Sequence, residues 1–171
     1  MVADVVIRDQ SEVDFAAVHA LVAAAFETMP YASGREPFIM DALWTSGAAF
    51  VALVADDGAI IGQVAFSQVT VGGRDEGWHA LGPLCVTPRR QRQGIGQALT
   101  RAGLDRLRML GSKGCVVVGD PNYYSRFGFA NTSEMFAPGI GPEHFMALSF
   151  GAAIPQGPVA FDPAFAAGVR L

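Results

Sequence analysis

Cysteine is scarce in this chain. Only Cys85 and Cys115 occur, each inside an apolar run. Two such thiols exclude a disulfide framework and fit buried free thiols in a reducing compartment. Neither has the exposed position or neighbouring base that a reactive thiol needs. No C-x-x-C or His-rich spacing is present, so no metal site is expected. Charge is also sparse, at 16% of residues against 51% hydrophobic, with a net charge of −4. That balance excludes disorder and argues against a general nucleic-acid binder. Long apolar runs are missing too. The most apolar stretch, Ala16 to Phe26, is interrupted by His19 and is too short to span a bilayer. The opening Met1-Val2-Ala3-Asp4 lacks the basic n-region of a signal peptide. A soluble cytoplasmic protein is expected, with no membrane and no nucleic-acid partner. Its 171 residues form one domain, 1–171, with no internal repeat.

The most informative stretch runs from Leu84 to Leu99. An apolar strand, Leu84-Cys85-Val86-Thr87, stops at Pro88. A basic, glycine-bearing loop follows, Arg89-Arg90-Gln91-Arg92-Gln93-Gly94-Ile95-Gly96, and a helix begins. A loop that opens a helix presents free backbone N–H groups and the positive end of the helix dipole to an anion. Gly94 and Gly96 let the backbone approach that anion without a Cβ in the way. Arg89, Arg90 and Arg92 form a local basic patch on an acidic protein, which suits a small anionic ligand.

The flanking chain reads as alternating elements. Val2 to Arg8 is a first strand. Ser11 is an N-cap, with Asp14 placed to interact with the start of a helix carrying Phe15, Val18, Val22 and Phe26 at helical spacing. That helix ends near Thr28-Met29-Pro30, residues 30–36 form a loop, and a second helix spans Pro37 to about Thr45. Three strands follow, Ala49 to Ala55, Ala59 to Val71 and Trp78 to Thr87. They are separated by the turns Asp56-Asp57-Gly58 and 72–77, which imply an antiparallel meander. Gly82-Pro83 breaks the third strand just ahead of the basic loop, because proline cannot donate to a ladder. The break opens the strand and exposes backbone groups to a ligand. A helix from about Gly94 to Leu110 buries Ile95, Leu99, Leu104, Leu107 and Leu110. The strand Cys115 to Val118 then completes a βαβ crossover, so it and the third meander strand are parallel. A short helix covers Asn122 to Phe127, and Phe145 to Phe150 and Val159 to Phe161 are terminal strands.

The run Gln91-Arg92-Gln93-Gly94-Ile95-Gly96 matches Q/R-x-x-G-x-G/A, and Leu84-Cys85-Val86-Thr87-Pro88 matches an L-x-V-x-P lead-in. Together with Tyr124-Ser125-Arg126-Phe127-Gly128-Phe129, these resemble the GCN5-related N-acetyltransferase (GNAT) family. Gly119-Asp120-Pro121 ahead of the double tyrosine is similar to its YhbS-like predicted N-acetyltransferases. The pattern is neither a dinucleotide-binding fingerprint, since Leu99 stands where a third glycine would, nor a Walker loop. The resemblance implies an α/β (α+β) fold: a mixed central sheet with a splayed central strand and helices on both faces. It implies acetyl-CoA as co-substrate, an amine on a small molecule or peptide as acceptor, direct transfer, no metal, and a monomer or homodimer.

The resemblance also assigns roles. Gln91, Arg92, Gln93, Gly94, Ile95 and Gly96 hold the pyrophosphate. Leu84 and Val86 present backbone groups to the pantetheine arm, and the Val86 amide is the oxyanion donor. Tyr124 is the general acid that protonates the departing thiolate, with Tyr123 as the neighbour that takes the role if the register differs. Asn122 bonds the CoA arm, although the family's usual asparagine position, seven residues before the tyrosine, holds Val117. No general base is identified among His79, Glu27 and Glu36, for which ordinary polar or solvated roles are preferred. Another reading is a CoA-binding sensor or interaction module without transferase activity, and transfer of a longer acyl group is a third possibility.

Overall fold

The structure, a computed structural model, describes residues 4–30 and 32–167. In chain order the elements are β1 (Val6–Asp9), a 3-10 turn (Glu12–Asp14), α1 (Phe15–Glu27), α2 (Glu36–Thr45), β2 (Ala49–Asp56), β3 (Ile60–Gln68), β4 (Thr70–Val71), β5 (Trp78–Val86), a 3-10 turn (Pro88–Arg90), α3 (Ile95–Met109), β6 (Gly114–Val118), α4 (Pro121–Tyr124), a 3-10 turn (Ser125–Phe127), β7 (Met135–Phe136), β8 (Phe145–Ser149) and β9 (Gly157–Ala160). Val2 and Ala3, the expected start of the first strand, and residue 31 in the expected loop lie outside the described residues. The chain groups into two compact units. One comprises residues up to Phe66, Gly82–Gly103 and residues from Pro163, and the other Ser67–Leu81 and Leu104–Asp162. β3, β5 and α3 each pass from one unit into the other.

In the first unit the strand order is β1-β2-β3-β5. β1 runs antiparallel to β2, from Val6↔Asp56 to Asp9↔Leu53. Val18, Val22 and Ala25 of α1 pack with Met40 and Leu43 of α2 against Val54, Ala65 and Cys85 of the sheet. The spacing that predicts these helices from sequence is therefore the spacing that buries them. The first half of α3 lies against the other face. A Cβ added at Gly103 would stand 2.1 Å from Phe66 Cε2, and one at Gly62 would stand 2.9 Å from Leu99 Cδ1. Glycine at these two positions is what lets α3 sit this close to β3. Leu110, expected on the buried face of α3, is 53% exposed because the helix ends one residue earlier.

Arg8 ties three segments of this unit together. Its guanidinium donates to Asp14 Oδ2 and Oδ1 at 2.7 and 2.9 Å, and to Asp56 Oδ2 at 3.0 and 3.1 Å. Asp14 is buried and also accepts from the Ser11 amide at 2.8 Å, the helix-start contact expected from the sequence. β1, the turn before α1 and the end of β2 thus converge on one cation. The Arg8 guanidinium holds the Asp14 carboxyl far below the usual carboxylate range, although burial opposes this.

In the second unit β5, β6 and β8 are neighbours. β5 pairs parallel with β6, as the crossover implies, and β6 pairs antiparallel with β8 from Gly114↔Ser149 to Val118↔Phe145. A second small sheet has the order β4-β9-β7. It corrects two readings of the sequence. The expected strand from Ala59 to Val71 ends at Gln68, and Thr70–Val71 turns away to pair with Val159 and Ala160. Met135–Phe136, within a stretch expected to be irregular, pairs with Gly157 and Pro158. Two-residue strands are too short to show a hydrophobic period, so only their tertiary partners define them.

Asp14 carries a testable consequence. Its folded-state pKa is depressed, so the stability it contributes is present above the unfolded value of about 4 and is lost as pH falls towards the folded value. Asp14→Ala leaves Arg8 partly exposed and bonded to Asp56, and should cost about 1–2 kcal/mol at neutral pH. Urea denaturation across pH should show that deficit shrinking below about pH 4. A deficit independent of pH would contradict this assignment.

Candidate functional site

β5 has nine residues, yet only Trp78, His79 and Ala80 pair with β6. Beyond Ala80 the parallel ladder stops, and Gly82-Pro83 follows with a cis peptide bond. This is the break expected from the sequence. The opposite edge of β5 remains attached, since the Thr87 amide donates to Ile61 O at 2.8 Å. Backbone groups alternate between the two edges of a strand. If the Thr87 N–H points to β3, the amides of Leu84 and Val86 point to the edge that has no β6 partner. Leu84 is half-buried and Val86 is buried, so their side chains pack while their backbone faces the open edge.

The loop that follows reverses backbone handedness. Arg92 has φ 61° and Gly94 has φ 83°, and α3 begins at Ile95. The first intrahelical bond runs from the Ala98 amide to Gly94 O, 3.0 Å. The amides at the head of α3 have no acceptor within the helix. Residues of alternating handedness turn successive N–H groups into a concave nest for an anion. Arg92 lacks the freedom of glycine, and a left-handed non-glycine residue costs on the order of 1–3 kcal/mol. Such strain is found where a loop serves a ligand.

The side chains of the loop divide into two groups. Gln91 Nε2 donates to Val86 O at 3.1 Å, tying the loop back to the strand. Gln93 Oε1 accepts from Arg90 Nε at 3.0 Å. Arg90 also forms an ion pair with Asp57 in the β2–β3 turn. The basic patch read from sequence as three free arginines is therefore smaller. Arg90 is neutralised internally, whereas Arg89 and Arg92 are exposed. An open cleft of about 280 Å³ beside the loop is lined by Arg90, Gln93, Gly94, Ile95 and Ala98 among others. Gln63 drew no attention in the sequence. It is fully buried on β3, and its Nε2 donates to Pro83 O at 3.0 Å, directly on the break.

In the second unit, β6 runs through Gly119-Asp120-Pro121 into α4. Asp120 Oδ1 accepts from the Asn122 amide at 2.9 Å, and Pro121 occupies the first turn, a combination that starts even a very short helix. The Tyr124 ring is half-buried. It meets Tyr123 edge-on at 4.9 Å and Phe129 at 5.9 Å between centroids. A Cβ at Gly119 would stand 2.6 Å from Tyr124 Cε2, so the glycine makes room for the ring. Among the described residues nothing hydrogen-bonds Tyr124 Oη. Burial, then Tyr123 and Cys115, push its pKa well above that of an ordinary phenol. Arg126 stacks over the Tyr123 ring at 4.7 Å. Asn122 is exposed and Val117 is buried in β6.

The remaining titratable candidates take quieter places. His79 is buried, its Nδ1 lies 2.8 Å from Ser112 Oγ, and burial lowers its pKa so that it is held neutral. Glu36 accepts from the Ser33 amide at 2.7 Å and from Ser33 Oγ at 3.0 Å, and Glu27 is exposed. Both cysteines are buried free thiols, and burial pushes Cys85 up to about 12. Among the described residues no group of three or more His, Cys, Asp or Glu could hold a metal ion. No helix among them is long and apolar enough to cross a membrane.

A strand opened on one edge, a left-handed nest at a helix start and a mixed sheet flanked by helices define an acyl-CoA-dependent acyltransferase fold. Residues 18–129 match the acetyltransferase (GNAT) family, and the chain belongs to it. It is similar to the uncharacterised N-acetyltransferase YhbS of Escherichia coli strain K12, with 38% identity over 125 residues, 72% of each chain. Among solved structures it resembles a GNAT family acetyltransferase from Brucella melitensis in complex with acetyl-CoA, with 41% identity and a TM-score of 0.86 over 95% of this chain and 99% of that one. It also resembles E. coli YhbS in complex with CoA, with 30% identity and a TM-score of 0.86 over 99% and 96% of the two chains.

The environment of Tyr124 can be checked by following phenolate absorbance against pH. A component should ionise well above about 10, and Tyr124→Phe should remove it. Loss of a component at about 10 would show that the ring is not shielded.

Proposed function

We propose that this chain is a single-domain cytoplasmic N-acetyltransferase that moves the acetyl group of acetyl-CoA directly to a primary amine on a small molecule or peptide. The observation that carries this reading is the unpaired edge of β5 leading straight into the nest at the start of α3. An extended ligand arm can add to that edge as a strand would, with its anionic end on the nest. The Brucella relative, at 41% identity, is a complex with acetyl-CoA.

The roles follow from the chemistry of each group. Amides of residues 92–96 take the pyrophosphate, supported by the α3 dipole and by exposed Arg89 and Arg92. Gln91 and Gln93 shape the loop through their bonds to Val86 O and Arg90. Leu84 and Val86 offer backbone groups to the pantetheine amides. The Val86 N–H stabilises negative charge as it develops on the thioester oxygen. Asn122 contacts the CoA arm. Tyr124 holds its proton throughout the physiological pH range and gives it to the departing thiolate. A buried phenol is a weaker acid than a free one, but burial strengthens a thiolate as a base in the same way. Cys85, at about 12, illustrates that shift within this protein. The proton affinities of phenol and thiolate therefore rise together, and transfer between them stays practicable. No side chain is assigned as base, so the amine gives up its proton to solvent. The chain works as a monomer or homodimer, with no metal, nucleic acid or membrane involved.

Two variants separate binding from chemistry. Gly96→Glu places a carboxylate at the nest and should weaken acetyl-CoA binding, measured by calorimetry, by more than about 100-fold without lowering the melting temperature. Tyr124→Phe should leave that affinity within about threefold while lowering kcat about 100-fold. Unchanged affinity in the first variant, or unchanged kcat in the second, would contradict the corresponding role.

A further inference from the structure

Gln63 is fully buried on β3, on the face shared with Ala65 and Cys85. Its two polar atoms fare differently. Nε2 donates to Pro83 O at 3.0 Å and approaches Cys85 Sγ at 3.8 Å, whereas Oε1 is buried with no hydrogen-bond partner among the described residues. A buried acceptor left unpaired is a net cost to folding, and an apolar side chain of similar volume avoids it. Stability therefore does not account for a glutamine here. Its satisfied half grips the carbonyl that begins the opened limb of β5. Proline supplies no N–H, so position 83 cannot donate to a ladder. Residues 82–86 have β3 on one edge and no β6 partner on the other. A lateral bond from β3 to the Pro83 carbonyl fixes the direction in which the next amides, Leu84 and Val86, face.

We infer that Gln63 is a positioning residue for acyl-CoA: its grip on the Pro83 carbonyl aims the Leu84 and Val86 amides at the pantetheine arm. The inference rests on the functional reading above. It separates two ends of the same ligand. The nest at residues 92–96 holds the nucleotide end and is independent of Gln63, whereas the arm along β5 depends on it.

The test compares wild type with Gln63→Leu, using two probes in calorimetry. One is acetyl-CoA. The other is 3′-phosphoadenosine 5′-diphosphate, the nucleotide end of coenzyme A that keeps the pyrophosphate and lacks the pantetheine arm. The variant should melt at or above the wild-type temperature, bind acetyl-CoA about tenfold more weakly, and bind the arm-free nucleotide as wild type does. Loss confined to the arm-bearing ligand is a readout that general structural damage would not produce. Should the branched leucine lower the melting temperature, the unbranched Gln63→Met makes the same comparison. Equal acetyl-CoA affinity in wild type and variant overturns the role of Gln63, as does parallel weakening of both probes. Wild-type protein that fails to bind acetyl-CoA overturns the functional reading itself.

Discussion

The parallel ladder between β5 and β6 ends at Ala80↔Val116, six residues before β5 itself ends. Everything distinctive about the site depends on that early ending. A central strand normally satisfies its backbone on both edges. Here the β3 edge stays bonded through Thr87 while the other edge is released, so Leu84 and Val86 offer amides that sheet formation would otherwise consume. The break falls at Gly82-Pro83, where Gln63 Nε2 bonds the Pro83 carbonyl from β3. The same strand is therefore paired with β6 over its first three residues and leaves that edge open over its last few.

Charge in this protein is rationed between holding the fold and meeting a ligand. Arg8 is committed to Asp14 and Asp56, and Arg90 to Asp57, each fastening the end of β2 or the turn after it to a neighbouring segment. In the proposed function the anion seat relies first on oriented backbone amides and the dipole of α3, with Arg89 and Arg92 in support. Amides fixed by the fold need no reorganisation when a ligand arrives, which long arginine side chains do. The ring of Tyr124 is likewise placed by packing against Tyr123 and Phe129 and by the missing Cβ of Gly119.

Much of this was legible in the residues, because the cues are local. The helical spacing of Val18 and Val22, the Asp56-Asp57-Gly58 turn, the Gly82-Pro83 break and the glycines at the start of α3 each act within a few positions of themselves. The site motifs are legible for the same reason. What could not be read depends on partners far apart in the chain. Thr70–Val71 looks like the tail of β3, and only its pairing with β9, some 90 residues on, separates it. Arg90 looks like a ligand for phosphate until Asp57 is seen beside it, 33 residues away in sequence. Gln63 carries no signal at all, since a glutamine in a mostly apolar strand reads as surface. The ordinary polar role preferred for His79 has a distant partner too, since its Nδ1 lies 2.8 Å from Ser112 Oγ, and burial lowers its pKa.

The central claim is that an amine receives the acetyl group, and the most direct measurement follows both products at once. Purified protein is mixed with acetyl-CoA and a broad panel of small amines and amine-bearing peptides. Free thiol is recorded spectroscopically and acetylated amine by mass spectrometry. The account predicts that at least one amine is acetylated in step with thiol release, one for one. Tight binding of acetyl-CoA with neither product across the panel would contradict it, and would mark the protein as one that binds coenzyme A without transferring from it.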